Sequence, residues 1–342
     1  MNHTLSHETV LGYCSCHHGE ILQGVFRDSD GRLCRGLTTL PVFGPGVCAE
    51  FIPDPGTDPE ELSVYPRTKT KAATAGVLAG AECRRRGRWG SCGGRIRLTS
   101  SVPLGLGMGS STSDIIATVR AVAAGFGVSL PWNTIAAIAV RAEGASDPLM
   151  LDDHALLFAQ RQGRVLERFG KSLPGMIVVG CVTGGGETVD TLRVGSGGER
   201  DADVRMFQRL RGMLRRAVAE SDVALLGRVS TESARHNQRL LPKEELGTLE
   251  EIAGEVEAAG VQVAHSGNVA GLLFDPDTPE LRDRLRECVR ALNRHGIPFS
   301  HLFRSYPVQE GRETWTSTSR TRSVARTWCG SPTGSFAFDS RR

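Results

Sequence analysis

Several features that would assign a protein to a class at once are absent from this chain of 342 residues. It has no run of about 18 apolar residues, the minimum for a membrane-spanning helix. Its first ten residues, MNHTLSHETV, lack the basic-then-apolar order of a secretion signal. Basic and acidic residues number 41 and 38, a balance that gives no indication of a nucleic-acid partner. We therefore expect a cytoplasmic protein with neither a membrane nor a nucleic acid as its partner.

Paired cysteines are missing as well. The nine cysteines are scattered and show no CxxC spacing, which favours the reduced thiols of a cytoplasmic protein. Cys14, Cys16, His17 and His18 are close in sequence, but the second pair of ligands that a structural zinc site needs does not follow. A zinc site is therefore not expected.

The order of apolar patterns indicates an α+β protein with two lobes. The polar stretch Val194 to Asp203 reads as a linker, so we place a lobe boundary between residues 170 and 200. The expected organisation is an N-terminal lobe at 1–175, a C-terminal lobe at 176–305 and a disordered basic tail at 306–342. Predicted strands cover 9–13, 47–52, 94–98, 176–182, 261–264 and 269–274, and predicted helices cover 69–86, 111–124, 135–142 and 206–217.

The segment Pro103 to Asp114, PLGLGMGSSTSD, lies between a predicted strand and a predicted helix. Its alternating glycines let the backbone approach a ligand closely and turn its N–H groups toward one point, while the helix adds its positive N-terminal end. A plain turn with helix-capping serines is the alternative. The pattern favours a phosphate site without the Walker lysine, formed by Pro103, Gly105, Gly107, Gly109, Ser110, Ser111 and Thr112.

This segment resembles the PxxxGLGSS signature of the GHMP small-molecule kinases, with Met108 in place of the usual Leu. Two further stretches resemble other motifs of the family. The first motif is matched by 16–26 (CHHGEILQGVF) and the third by 261–274 (VQVAHSGNVAGLLF), both in the version of the L-threonine kinases of cobalamin synthesis. The segment 184–191 (GGGETVDT) is similar to that branch too. The three motifs stand in the family's order.

The resemblance implies a fold and a pair of cofactors. The fold is a two-lobed GHMP kinase, with an N-terminal lobe like domain 2 of ribosomal protein S5 and a ferredoxin-like C-terminal lobe. The cofactors are ATP and Mg²⁺. The implied activity is transfer of a phosphoryl group to a small hydroxylated molecule.

Two carboxylates are candidates for the chemistry. Glu143 and Asp147 stand four residues apart, so they share one face if the helix continues, although a solvated helix end has the same spacing. The resemblance implies that Glu143 holds Mg²⁺, together with Ser111, and that Ser110 acts in catalysis. It assigns Asp147 as the residue that aligns or deprotonates the acceptor. Asp152 and Asp153 are alternatives, and some branches have no base.

On the acceptor side, the candidate residues come from both predicted lobes. Six residues are predicted to contact the substrate: Glu20, Gln23, His18, Asn237, Ser266 and Gly267. Each also has an ordinary structural interpretation as a turn, core or helix-surface residue. The predicted function is that of a kinase for the side-chain hydroxyl of L-threonine or a relative such as serine or homoserine. The protein is predicted to form a homodimer or to act as a monomer. The alternatives are phosphorylation of a sugar or isoprenoid alcohol, with or without decarboxylation, and a non-catalytic nucleotide-binding regulator.

Overall fold

The computed structural model describes residues 9–58, 60–87, 92–101, 108–151, 154–170, 172–184, 200–240, 242–264 and 267–305, with the backbone alone at 43–45. The strands are β1 Val10–Arg27, β2 Leu33–Asp54, β3 Leu62–Tyr65, β4 Gly93–Ser100, β5 Ala155–Ala159, β6 Arg164–Gly170, β7 Ile177–Val182, β8 Gly260–Val263, β9 Val269–Phe274 and β10 Phe299–Ser305. The helices are α1 Thr70–Arg85, α2 Ser110–Gly125, α3 Trp132–Glu143, α4 Asp201–Glu220, α5 Val223–Asn237, α6 Leu246–Glu255 and α7 Leu281–Arg294, with a 3-10 turn at Leu149–Leu151.

The N-terminal half is built on the long antiparallel pair β1 and β2, to which β4 and then β3 are added. Helix α2 packs across β1, and its small and branched residues are almost all buried. Gly12 of β1 permits this close approach, since a β-carbon there would lie 2.2 Å from the carbonyl oxygen of Ala117. The N-terminus of α2 is thereby held against the middle of β1.

The C-terminal half has the strand order β8-β9-β7-β10, and neighbouring strands are antiparallel. In chain order this is strand, helices, two strands, helix, strand, with the second strand at one edge and the fourth at the other. That arrangement is the split βαβ pattern of ferredoxin-like domains. The predicted α+β class and the ferredoxin-like second half are confirmed.

The strands of the two halves form one continuous ten-stranded sheet. Strand β1 meets β8 where Glu20 pairs with Val263, and β2 meets β10 where Val42 pairs with Ser305. Glu20 therefore lies where the strands of the two halves join. A residue at this position faces groups from both halves of the chain.

Two apolar clusters fill the interior. One lies between β7, β8, β9, β10 and the helices α6 and α7. The other joins the N-terminal sheet to α1, α2 and α3, and it also takes in apolar residues of α4 and α5 such as Phe207 and Leu226. Helices α4 and α5 thus share a core with the N-terminal half. The division into lobes at residue 175 stays a prediction.

Two expectations from sequence need correction. Helix α4 begins at Asp201, inside the stretch predicted as linker, because Asp201 and Asp203 in its first turn favour the positive helix end and Asp203 accepts from the backbone N–H of Arg200. Seven described cysteines are free thiols, as expected, but Cys48 is disulfide-bonded.

No described helix is both long and apolar enough to cross a membrane. The predicted tail at 306–342 lies outside the described residues.

Candidate active site

The N-terminus of α2 presents polar groups toward β1 and the end of α3. Gly109 caps the helix in the left-handed conformation, with φ of 66°. The hydroxyls of Ser110 and Ser111 are half-buried, and within the described residues neither has a hydrogen-bond partner. Two free hydroxyls at a positive helix end are suited to bind an anion. Pro103, Gly105 and Gly107 lie outside the described residues.

Gly109 is in direct contact with His17. A β-carbon at 109 would lie 2.1 Å from Nε2 of His17, so any side chain there would displace the imidazole. The positive φ of Gly109 is a second reason for glycine at this position. The last predicted glycine of the phosphate loop therefore packs against the first motif of the chain.

Three side chains meet beside this contact. Nε2 of His17 is 3.1 Å from Oδ2 of Asp147, and the hydroxyl of Thr112 is 3.2 Å from the same oxygen. That hydroxyl is also 3.3 Å from Oε2 of Glu143, so it stands between the two carboxylates. Glu143 and Asp147 do come together, but α3 ends at Glu143 and Gly144 turns the chain in the left-handed conformation. The proximity comes from this turn and not from a continuing helix.

The contact between His17 and Asp147 shifts the pKa of both side chains. Burial favours neutral His17, but the charge of Asp147 and the hydrogen bond to it outweigh burial and raise the pKa of His17 to about 9. Burial also acts to raise the pKa of Asp147, yet His17 and the Thr112 hydroxyl together lower that pKa below its usual value. At neutral pH the site therefore holds an imidazolium beside a carboxylate that is one-fifth exposed.

Helix α1 supplies two cations that the sequence reasoning did not single out. Lys71 donates to Oε1 of Glu143 at 2.8 Å, and Lys69 donates to the buried Asp114 of α2 at 2.5 Å. The chain has only four lysines among its 41 basic residues, and two of them, Lys69 and Lys71, lie in this region. Their rarity sets them apart in the sequence, but it does not predict where they lie.

The oxygen donors here fit a hard divalent cation. The Glu143 carboxylate and the free Ser111 hydroxyl are the ligand types that Mg²⁺ prefers. A second group, formed by His17, Glu20 and Asp147, has its candidate ligand atoms within 4.8 Å of one another. This second group includes the imidazole of His17, whereas Mg²⁺ prefers a set made of oxygen ligands alone. The first set is therefore the better fit for Mg²⁺.

His18 lies on the opposite side of β1 from His17, as neighbouring residues of a strand do. Its Nδ1 is 2.7 Å from Oε1 of Gln262, and its ring is 5.0 Å from that of Phe303. Burial lowers its pKa to about 4, although the Gln262 contact opposes this, so the ring is neutral. Its Nε2 has no partner among the described residues. His18 is thus packed within the C-terminal strands, apart from the group around Asp147.

Among the other predicted substrate residues, Glu20 belongs to the group around Asp147, whereas Gln23 and Asn237 lie together further along β1. The Asn237 amide donates to the backbone oxygens of Gln23 and Ser233, each at 2.8 Å, and so ties α5 to β1. The side-chain oxygen of Gln23 is buried without a described partner. Ser266 lies outside the described residues.

Gly267 is contacted by a lysine that the sequence analysis missed. Lys243, in the loop between α5 and α6, is buried and donates from Nζ to the carbonyl oxygen of Gly267 at 2.7 Å. The loop is held by the Gln238 side chain, which accepts from the backbone N–H of Lys243 at 2.6 Å and donates to its carbonyl at 3.1 Å. Lys243 therefore has a fixed position near the third motif.

The chain is similar to a known protein family and to several known proteins. Residues 74–157 match the family "GHMP kinases N terminal domain". An L-threonine kinase of Salmonella typhimurium is 30% identical over 216 residues, which cover 61% of this chain and 69% of that protein. An L-threonine kinase of Citrobacter freundii is 31% identical over 188 residues, which cover 53% of this chain and 62% of that protein. The crystal structure of a homoserine kinase from Cytophaga hutchinsonii superposes with a TM-score of 0.65 at 15% identity, covering 91% of this chain and 98% of that chain.

The fold and these relatives define an enzyme of the kinase class. The chain belongs to the GHMP kinase family, as its three motifs suggested.

Proposed function

We propose that this protein is an ATP- and Mg²⁺-dependent kinase that phosphorylates the side-chain hydroxyl of a small amino acid, L-threonine or a relative such as serine or homoserine. The observation that carries the proposal is the position of Asp147. Its carboxylate shares the Thr112 hydroxyl with Glu143 at the N-terminal end of α2. Phosphoryl transfer needs a bound phosphate, a metal ligand and a group that orients the acceptor. The residues that we propose for these three tasks are Ser110 and Ser111 for the phosphate, Glu143 for the metal and Asp147 for the acceptor.

The residues that would hold the nucleotide phosphates are those at the start of α2. The helix N-terminus attracts anions, and the hydroxyls of Ser110 and Ser111, which have no partner among the described residues, can donate to phosphate oxygens. Ser111 and Glu143 are the residues that would hold Mg²⁺. When bound, Mg²⁺ neutralises the negative charge of the phosphates. Bound Mg²⁺ would either displace Lys71 from the Glu143 carboxylate or share that carboxylate with it.

Asp147 orients the acceptor hydroxyl by accepting its proton in a hydrogen bond. Since the pKa of Asp147 is lowered, it remains a carboxylate at neutral pH and is always able to accept. The same lowering makes it a weak base, so its contribution is alignment more than early deprotonation. His17 fixes the carboxylate, and Gly109 fixes His17. Asp152 and Asp153 lie outside the described residues.

Support for an amino acid as acceptor comes from the relatives, two of which are named L-threonine kinases. The test is a coupled ADP-release assay with purified protein, ATP and Mg²⁺, and with a panel of hydroxy amino acids, sugars and isoprenoid alcohols. We expect turnover with L-threonine or a close relative and none with sugars. The blank is the same reaction without an acceptor, which measures ATP hydrolysis unrelated to transfer.

Activity on an isoprenoid alcohol alone would contradict the proposed acceptor. Release of CO₂ from a phosphorylated product would identify the decarboxylating alternative. Binding of nucleotide without any ADP release on the whole panel would refute the acceptor class altogether.

A further inference from the structure

The hydroxyl of Thr112, in the first turn of α2, points to two carboxylates. It lies 3.3 Å from Oε2 of Glu143 and 3.2 Å from Oδ2 of Asp147, and the residue is only 4% exposed. The next residue, Ser113, differs from it, because its hydroxyl donates to backbone carbonyl oxygens, 2.9 Å away in Ser15 and 3.1 Å away in Gly109. Thr112 is therefore turned toward the proposed transfer site and away from the backbone of its own helix.

The Thr112 hydroxyl has a single proton, so it can donate to only one of the two carboxylates at a time. Glu143 has another donor, since Lys71 contacts its Oε1 at 2.8 Å, and it is the carboxylate that we propose for Mg²⁺. A bound metal ion neutralises much of the charge of its carboxylate ligand, which then attracts a hydroxyl proton less. With the metal bound, Asp147 is the better acceptor for the Thr112 proton.

The two carboxylate oxygens of Asp147 have different surroundings. Oδ2 has two possible donors, Nε2 of His17 at 3.1 Å and the Thr112 hydroxyl at 3.2 Å. Each oxygen of a carboxylate has two lone pairs, so these two donors use the capacity of Oδ2. Oδ1 has no hydrogen-bond partner among the described residues, and the Asp147 side chain is one-fifth exposed. The free capacity of this carboxylate is therefore at Oδ1.

We infer that Thr112 is a positioning residue: together with His17 it holds Oδ2 of Asp147, so that Oδ1 accepts the hydrogen bond from the acceptor hydroxyl. This inference rests on the proposed function. It differs from the expectation from sequence, in which Thr112 binds the nucleotide. Two donors on one oxygen fix the plane of the carboxylate, and the other oxygen then has one direction in which it can accept.

The first test is Thr112→Val, which keeps the shape of the side chain and removes the hydroxyl. We expect kcat for the amino acid substrate to fall about 3- to 10-fold, the effect of one lost hydrogen bond. KM for ATP and the Mg²⁺ concentration for half-maximal rate should stay unchanged. Thr112→Ser keeps a hydroxyl and should recover most of the lost rate.

Thr118→Val is the matched control for this substitution. Thr118 lies on the same helix, is fully buried and has a hydroxyl without a partner among the described residues. Its replacement should leave kcat at the wild-type value. If Thr112→Val raises KM for ATP, the hydroxyl serves the nucleotide; if it raises the Mg²⁺ requirement, the hydroxyl serves Glu143. Either result would overturn the inference.

A double-mutant cycle shows whether Thr112 acts through Asp147. In the background of Asp147→Ala, where the carboxylate is absent, Thr112→Val should change kcat by less than about twofold. The same loss in both backgrounds would show that the two residues act independently and would overturn the inference. If a variant does not fold, Asp147→Asn replaces Asp147→Ala, and Thr112→Ala replaces Thr112→Val.

A crystal structure with the amino acid substrate and a non-hydrolysable ATP analogue tests the geometry without turnover. We expect the substrate hydroxyl within hydrogen-bond distance of Oδ1 of Asp147, and the Thr112 hydroxyl within that distance of Oδ2. A substrate hydroxyl on Oδ2, or a Thr112 hydroxyl on a phosphate oxygen, would contradict the inference.

The proposed function fails separately. A wild-type enzyme that phosphorylates no amino acid refutes it, and the inference with it. A wild-type enzyme active on an amino acid, with full kcat in Thr112→Val, refutes the inference alone.

Discussion

Nε2 of His17 lies 3.1 Å from Oδ2 of Asp147, and a β-carbon at Gly109 would lie 2.1 Å from that same nitrogen. One imidazole thus connects the start of the phosphate-site helix to the carboxylate that we assign to the acceptor. The histidine comes from the first motif, the glycine from the second and the aspartate from the turn after α3. Substitution of His17, Gly109 or Asp147 should therefore have a specific effect that can be measured.

Asp147→Asn should reduce kcat about 10- to 100-fold with little change in KM for ATP, because a neutral amide oxygen accepts a weaker hydrogen bond from the acceptor hydroxyl than a carboxylate does. The measurement is ADP release at saturating ATP. Asp30→Asn, at an exposed aspartate of the β1–β2 turn, is the control and should keep wild-type turnover. Full activity in Asp147→Asn would show that another residue, or none, orients the acceptor hydroxyl.

Stability should depend on pH through His17. Its pKa is raised in the folded protein to about 9, from 6.5, so its contribution is complete below pH 6.5 and disappears as the pH rises through 9. We expect the free energy of unfolding to fall by up to about 3 kcal/mol across that window. Denaturant unfolding of the wild type and of His17→Gln, measured from pH 6 to 10, checks this.

The His17→Gln curve should be flatter, since glutamine does not titrate. The contribution of Asp147 has the opposite sign: it is present above the ordinary aspartate pKa of 3.8 and is lost as the pH falls through the lowered folded value. Parallel curves for the two proteins would show that the ion pair adds nothing to stability.

Ser110→Ala and Glu143→Gln should each remove most turnover while the fold persists. Ser110→Ala removes a hydrogen-bond donor at the start of α2. Glu143→Gln removes the negative charge of the carboxylate that we propose as a Mg²⁺ ligand. Glu143→Gln should also raise the Mg²⁺ concentration for half-maximal rate, whereas Ser110→Ala should not. Steady-state rates across a Mg²⁺ titration distinguish them, with circular dichroism as the check on folding. Retained activity in both variants would refute the assignment.

Gly109→Ala should reduce both stability and activity, and Gly127→Ala is its matched control. Both glycines have φ near 65°, but a β-carbon at 127 meets nothing within 4 Å while one at 109 meets His17. The backbone strain, about 1–2 kcal/mol, is common to the two. Only Gly109→Ala should lose turnover as well. Thermal unfolding and ADP release on both variants separate strain from contact, and equal behaviour would argue against the contact.

Asn237→Ala should lower the free energy of unfolding by about 1–3 kcal/mol, because the two buried hydrogen bonds from its amide to backbone oxygens are lost. KM for the acceptor should stay the same. Asn293→Ala, at an exposed position of α7, is the control. A raised KM with unchanged stability would instead support the substrate contact that the sequence predicted.

Motifs were the part of the site that sequence could reveal. The glycines and serines before α2 and the carboxylates at 143 and 147 were identified from spacing and resemblance, and their proximity was expected. We expected the helix to continue to Asp147, but it ends at Glu143 and Gly144 turns the chain in the left-handed conformation. Glycine at this position is a sequence signal for a helix end, whereas the contacts of Asp147 with His17 and Thr112 depend on tertiary packing.

The positions of the lysines and histidines could not be predicted from the sequence. Lys71 and Lys243 belong to no recognisable motif, yet the fold places each beside a residue of one. His17 and His18 are neighbours in sequence, and only His18 was predicted to contact the substrate. Strand geometry turns one toward Asp147 and the other toward Gln262, so one is an imidazolium and the other neutral.

The sequence by itself determined the class of this protein: periodicity predicted the α+β elements, and three local motifs indicated the family, because each motif is a short-range pattern. Only the tertiary structure decided which charges meet. Glu20 and Asp147 are far apart along the chain, yet the fold brings their carboxylates and the His17 imidazole within 4.8 Å of one another. Their proximity follows from long-range packing, which no local pattern specifies.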